Sequence, residues 1–435
     1  MKEVQVLLSL DVWICFGVFV VLLLIEVPIS FSMLGSSMLY AFLNQESFVM
    51  FAQKISSSFA DFSMLAVPAF LFVGIFMNEI GLTDRIFKAA EKWLGHIPGG
   101  LAHANVLASM IFAGMSGSAL ADAGGLGTIE VKAMRDSGYD EYFSVAITAA
   151  SSTIGPIIPP SINLVIWGFL SSTSTLTLFL AGLVPGILMG LAMIIWIVFA
   201  VKSFNIKTPP LVKSSWKDRW FYTLQAFPAL GGPIILIGGI LSGVFTPTEC
   251  GVVAGAYCVL LAAIYKKLNL TMLKRAFLNT LSSAAMVMAL VSTGLVFNWM
   301  IVTSGLIKYL SNSLLILENP IVVLLLLNMI LLFMGCFIGS MQSLIMMTPL
   351  LLSLADGLGL SYIHIGVLAV FNLVIGLITP PMAPSLFVTC KATGVAFNKS
   401  LRYTLGFIIP LVVVLMIITF FPNTVLWLPR LLGAL

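Results

Sequence analysis

Apolar residues in this chain come in long runs rather than in alternation, and short polar or charged stretches separate the runs. A helix needs about 20 apolar residues to cross a bilayer. Runs of that kind fall near 4–25, 27–44, 62–80, 143–169, 178–200, 222–242, 248–265, 282–304, 362–390 and 400–422. Two more apolar segments, about 100–135 and 319–352, are interrupted near their middles by small residues. Each predicts a re-entrant hairpin that reaches the midplane and turns back. Shorter amphipathic stretches lie at 46–60 and 268–281. The pattern predicts an all-α polytopic membrane protein of about ten spanning helices plus two hairpins.

Composition agrees. The chain is 60% hydrophobic and 9% charged, with a mean hydropathy of +1.11. Soluble domains run at about 45–50% apolar and about 25% charged. "VWICFGVFVVLLLI" near the start reads as a retained span rather than a cleaved leader. The net charge of +4 comes with no basic cluster interleaved with aromatics, so no nucleic-acid partner is expected. Cys15, Cys250, Cys258, Cys336 and Cys390 lie in or beside apolar runs without a C-x-x-C pair, and read as small apolar fillers.

Basic residues set the direction of the spans. With the N-terminus outside, only Lys2, Lys54, Lys308 and Arg430 lie outside, and the other 17 of the 21 Lys and Arg lie inside. The C-terminus is then outside as well. The longest polar connection, 202–220, is inside and too short for a domain, so it reads as a linker between halves 1–201 and 221–435.

The halves echo each other. "FAGMSGSALAD" (112–122) matches "FMGCFIGSMQS" (333–343), and "GPIIPP" (155–160) matches "GLITPP" (376–381). Gly117 to Pro159 is 42 residues, and Gly339 to Pro380 is 41. The first hairpin would enter from inside and the second from outside, which makes an inverted-topology repeat. Secondary transporters are built this way, with the site at the midplane between repeats.

Gly and Pro at mid-membrane break a helix and free its carbonyls, while the second half-helix presents N–H groups. Carbonyls suit a small cation such as sodium, and a helix N-terminus suits an anion. The freed oxygens would belong to Gly155, Ile158 and Pro160, then to Gly376, Thr379 and Pro381, with the Thr379 hydroxyl in addition. The facing tips carry Ser116, Gly117 and Ser118, then Gly339 and Ser340. A kink that only shapes packing is the alternative. Asp122, six residues beyond Ser116, is a functional candidate because a carboxylate at that depth is costly; bonding hydroxyls at the tip is its other reading. Ser116, Ser118, Asp122, Asn163 and Ser174 are the candidate substrate contacts. "TPTE" (246–249) reads as a capping box, and Glu26 before Pro28 resembles it.

"GMSG" (114–117) fits the G-x-S-G pattern of rhomboid proteases, but neither His103 nor His364 is placed to activate Ser116. No H-E-x-x-H and no Walker A loop occur, so the chain is expected to be neither a membrane protease nor an ATPase.

"SGSALAD", "GPIIPPS", "FTPTECG" and "GLITPP" together resemble the large membrane subunit of the tripartite ATP-independent periplasmic (TRAP) transporters, in order and spacing over nearly the whole chain. The resemblance implies an elevator-type, sodium-coupled importer of an organic anion such as a sialic acid, dicarboxylate or sugar acid. It implies a bacterial inner-membrane location, surrounding membrane lipids, and two protein partners: a small four-span membrane subunit and a soluble periplasmic substrate-binding protein. The first cation site would use Ser116, Gly155, Ile158 and Pro160. The second would use Gly339, Gly376, Thr379 and Met382. Many relatives carry an acid where this chain has Gly339, so that carboxylate's role cannot be carried over. A stand-alone ion-coupled carrier of the same fold is the alternative, and a non-transporting scaffold a third.

Overall fold

The computed structural model describes residues 10–204, 206–209 and 213–435, with Leu241 by its backbone alone. Residues 4–9 of the first predicted span, Lys2, and residues 205 and 210–212 of the linker lie outside the described residues.

Helices α1 (Leu10–Leu24) and α2 (Ile29–Leu43) pack together across a turn at Glu26, φ 63°. Pro28 precedes α2 with no side-chain cap, so the capping box expected from Glu26 does not form. Helix α3 (Val49–Ala60) is the first amphipathic stretch. Asp61 ends it by accepting the Ser63 N–H at 2.8 Å, which starts a 3-10 turn (Phe62–Leu65) leading into α4 (Ala66–Glu79). Helix α5 (Leu82–Leu94) is amphipathic and was not among the predicted elements, because its charged face interrupts any apolar run.

The first hairpin comprises α6 (Gly100–Ser116), α7 (Ala119–Gly124) and α8 (Leu126–Asp136). The first broken span comprises α9 (Glu141–Ser152) and α10 (Ile162–Ser171). Then follow α11 (Thr175–Ser203), α12 (Trp216–Leu241) and α13 (Pro247–Ile264). Helix α14 (Leu270–Thr303) joins the second amphipathic stretch and the next span into one 34-residue helix. These were predicted as separate elements. Leu281, Ser282, Ser283 and Ala284 at the junction contain no Gly, Pro or Asp to do what Asp61 does in the first half.

Helix α15 (Leu306–Leu315) precedes the second hairpin, α16 (Pro320–Ile338) and α17 (Ser340–Leu358). The second broken span is α18 (Tyr362–Gly376) and α19 (Pro384–Thr393). Helices α20 (Phe397–Phe420) and α21 (Asn423–Leu431) complete the chain, α21 being unanticipated. Among the described residues, eight helices are long and apolar enough to cross a bilayer, including both arms of the second hairpin. Helices α1 and α2, with 15 residues each, and the halves of the broken spans are shorter.

Two clefts fix relative direction. Gly81, Arg85, Tyr222, Gln225 and Lys267 line one. Phe62, Ser63, Ser174, Thr246 and Thr248 line another. Helices α4 and α13 therefore run parallel, and basic residues gather at the first end. The broken spans run antiparallel: Trp167 Nε1 donates to the Tyr362 carbonyl at 3.0 Å near one end, and Ser152 and Ser385 hydroxyls meet at 2.7 Å near the middle.

Matching polar clamps join each hairpin to a broken span. The Ser151 hydroxyl donates to Asn105 Oδ1 at 2.7 Å, and Asn372 Nδ2 donates to Asn328 Oδ1 at 2.9 Å. Inside a bilayer, such bonds and close small-residue contacts hold helices together, because lipid gives apolar faces no reason to leave it.

Candidate functional site

The first hairpin turns at Gly117, whose φ of +62° disfavours any side chain. A Cβ there would also stand 2.5 Å from the Pro160 carbonyl oxygen, so the tip rests directly on the first break. Ser118 then caps α7, accepting the Ala121 N–H at 3.5 Å. This short helix turns Asp122 back toward the tip, where the Ser116 hydroxyl donates to Asp122 Oδ1.

Asp122 is 2% exposed, and its Oδ2 has no hydrogen-bond partner among the described residues. A Cβ at Gly155 would lie 2.6 Å from that oxygen. The glycine thus lets the carboxylate rest against the bare backbone of the break. The break itself is held by Ser161, which donates to the Pro156 carbonyl and accepts the Leu164 N–H at 3.1 Å as the cap of α10. Among the described residues, the carbonyls of Gly155, Ile158 and Pro160 accept no hydrogen bond. Ser116, Asp122, Gly155 and Pro160 are therefore brought together, and Asp122 Oδ2 and the Gly155 and Pro160 carbonyls have no donors among the described residues. A buried carboxylate oxygen and unbonded carbonyls form an arrangement that a small hard cation would satisfy.

The second break differs. Gly376 O accepts the Thr379 N–H at 3.1 Å, and Thr379 O accepts the Ala383 N–H at 3.3 Å. The Thr379 hydroxyl donates to Ile375 O at 2.8 Å. Of the three oxygens predicted to be free, only Pro381 O accepts no bond among the described residues. The turns differ in where one N–H goes: the Thr379 N–H bonds Gly376 O, whereas its counterpart, the Ile158 N–H, bonds Ile154 O, and Ala383 then closes on Thr379 O. Gly376 also has a packing duty, since a Cβ on it would stand 2.4 Å from the Gly335 carbonyl carbon. Gly339 turns the second hairpin at φ 93°, and Met382 is 57% exposed.

The candidate substrate contacts separate. Asn163 Nδ2 donates to Ser340 Oγ at 3.3 Å, so it joins the first break to the tip of the second hairpin. Ser174 is not brought to Ser116; it caps α11 and lines the distant cleft with Thr246 and Thr248. Thr246 and Glu249 form the predicted capping box, with the Thr246 N–H donating to Glu249 Oε2 at 2.8 Å. His103 is buried, and the Ser116 hydroxyl goes to Asp122, so no serine–histidine pair forms.

A cavity of about 370 Å³ opens beside Ser116, between α4, the first hairpin and α14; Asn78, Asn279 and Ser283 supply polar lining. Sequence reading missed these groups, and the glycines that admit the break: Gly182 faces Ile157 O, and Gly186 faces the Ile158 side chain. Glu130, 1% exposed with Oε1 unpartnered among the described residues, was also missed. An acid on a hairpin arm was the signal that pointed to it.

The chain matches the family model for the tripartite ATP-independent periplasmic transporter, DctM component, over residues 16–424. It is 40% identical to the sialic acid TRAP transporter large permease protein SiaM of Vibrio cholerae, over 94% of this chain and 96% of the relative. It is 35% identical to the C4-dicarboxylate TRAP transporter large permease protein DctM of Pseudomonas aeruginosa, over 88% and 90%. Among solved structures, the YdaH transporter of Alcanivorax borkumensis shares the fold, with a TM-score of 0.60 at 14% identity, covering 85% of this chain and 87% of that one. These matches, and an all-helical bundle with paired broken spans, establish a transport protein rather than an enzyme: the chain is a member of the DctM-component family of TRAP transporter large permeases.

Proposed function

We propose that this multi-pass permease imports an organic anion by coupling it to sodium, in a bacterial inner membrane with both termini in the periplasm. The observation that carries the reading is the first break, where Gly155 lies against the Ser116–Asp122 pair, the hairpin tip rests on Pro160 O, and the carbonyls of Gly155, Ile158 and Pro160 accept no hydrogen bond among the described residues. Sodium entering there neutralises the carboxylate and replaces missing donors with one ion. Ser116, Gly155, Ile158 and Pro160 hold this first sodium. The second site, at Gly339, Gly376, Thr379 and Met382, rests chiefly on the Thr379 hydroxyl's remaining lone pairs and on neighbouring backbone.

The substrate occupies the cavity beside Ser116, whose volume of about 370 Å³ suits a small organic acid. Ser118 follows Ser116 on the hairpin tip, and Asn163 joins the first break to the tip of the other hairpin through Ser340. Relatives named for sialic acid and C4-dicarboxylate support an anionic substrate. A soluble periplasmic binding protein delivers it, and a small four-span subunit braces the stationary helices. The hairpins and broken spans move as one elevator-like unit against α4, α12, α13 and α14. The cavity reaches Asn78, Glu79 and Asn279, at the end where basic residues gather, which supports an inward-facing state.

The test is uptake into liposomes holding the complete transporter and given its binding protein. Uptake should follow an inward sodium gradient. Equal uptake with potassium in place of sodium would overturn the coupling.

A further inference from the structure

The cleft at the basic end of α4, α12 and α13 takes no part in transport as read above. Its volume is about 290 Å³, and Asp84, Arg85, Lys88, Tyr222, Gln225 and Lys267 line it. Three cations face one acid. Lys88 pairs with Asp84 at 2.7 Å. Arg85 lies over the Tyr265 ring at 4.1 Å, and Lys267 donates to Ile80 O at 2.7 Å. Neither Arg85 nor Lys267 has a carboxylate partner among the described residues, so the cleft carries a net positive charge held in place by neutral contacts.

The flank of the cleft is apolar. Beside Tyr222 and Gln225, α12 exposes Trp220, Phe221 and Leu224 at 60%, 54% and 66%. A fixed cationic recess next to an exposed aromatic and aliphatic face, at the positively charged end of the spans, has the two-part chemistry of a phospholipid: phosphate in the recess and acyl chains along the helix.

We propose that this recess binds the headgroup of one anionic phospholipid of the cytoplasmic leaflet. Arg85 and Lys267 bind the phosphate, Tyr222 and Gln225 bound the headgroup, and α12 carries the chains. Helix α5, which supplies Arg85, packs on both α12 and the first arm of the hairpin, so the lipid fastens the connector to the stationary helices. Only the orientation of the spans is taken from the proposed function, not the transported ion or substrate.

Native mass spectrometry of the full chain in mild detergent tests this, with phosphatidylglycerol, phosphatidylcholine and inorganic phosphate as probes. Wild type should retain one phosphatidylglycerol in preference to phosphatidylcholine. Arg85→Gln with Lys267→Gln should weaken that binding by about tenfold or more, since each cation near a headgroup contributes about a decade or somewhat less. Gln225→Glu, an exposed change outside both contacts, should weaken it as well and decides the matter if the double variant is not monodisperse. Lys308→Gln, at the opposite end, should leave it unchanged. Equal retention of both lipids, or unaltered binding in the recess variants, would overturn the proposal. So would displacement of phosphatidylglycerol by inorganic phosphate, which marks a free-anion site, or, in the same variants purified as the complex with the small subunit, loss of that subunit with lipid retained, which marks a protein interface.

Discussion

At Gly155 a single methyl group is the difference between a carboxylate against bare backbone and a clash. A Cβ there would stand 2.6 Å from Asp122 Oδ2. Gly155→Ala should therefore cut sodium-driven uptake by at least tenfold. Gly238→Ala, with nothing within 4 Å of the added atom, serves as the control and should transport normally. Asp122→Asn keeps an acceptor for the Ser116 hydroxyl and removes the charge. If Asp122 counters the cation, the sodium concentration for half-maximal uptake should rise tenfold or more. A carboxylate that merely braces the tip would leave sodium dependence unmoved. Gly117→Ala combines a left-handed residue, which costs about 1–2 kcal/mol, with a contact of 2.5 Å to Pro160 O. It should lower both melting temperature and uptake.

Among elements, helix ends and clamps carry smaller and separable effects. Thr246→Ala removes one side of the α13 capping box and should cost about 1 kcal/mol, read as a lower melting temperature with uptake kinetics unchanged. The Asn328–Asn372 clamp is buried, and interhelical bonds in membrane proteins average about 0.6 kcal/mol; Asn372→Ala should cost about that. Most elements were legible from sequence because spanning lengths, Gly tips and Pro breaks are local properties. The first break was readable in outline: Pro159, four residues after Gly155, has no N–H to bond the Gly155 carbonyl. The second was not, although Pro380 stands in the matching place: there the Thr379 N–H turns back onto Gly376 O and the Ala383 N–H closes on Thr379 O. Ser174 misled for a different reason. Polar residues near a break look alike in one dimension, and only packing separates a helix cap from a contact between repeats. The unbroken α14 escaped notice because amphipathic and apolar stretches can share a helix when nothing between them stops it.

In the whole molecule, the proposed motion requires the hairpin to slide past α14. Ala121 and Ser283 line the same cavity from the two sides. The five native cysteines are all buried, so introduced thiols can be addressed selectively. Cross-linking Ala121→Cys to Ser283→Cys with a short bifunctional reagent should stop uptake, and cleaving the linker should restore it. Uptake that persists in the fully linked protein would exclude relative movement of these elements. The two halves also differ mechanically. Helix α14, with 34 residues, is about 50 Å long against a hydrocarbon core of about 30 Å. Its counterpart is divided at Asp61 into α3 and α4. One side of the frame is a single girder and the other an articulated joint, so load from a moving core would be borne stiffly at α14 and absorbed by rotation at Asp61.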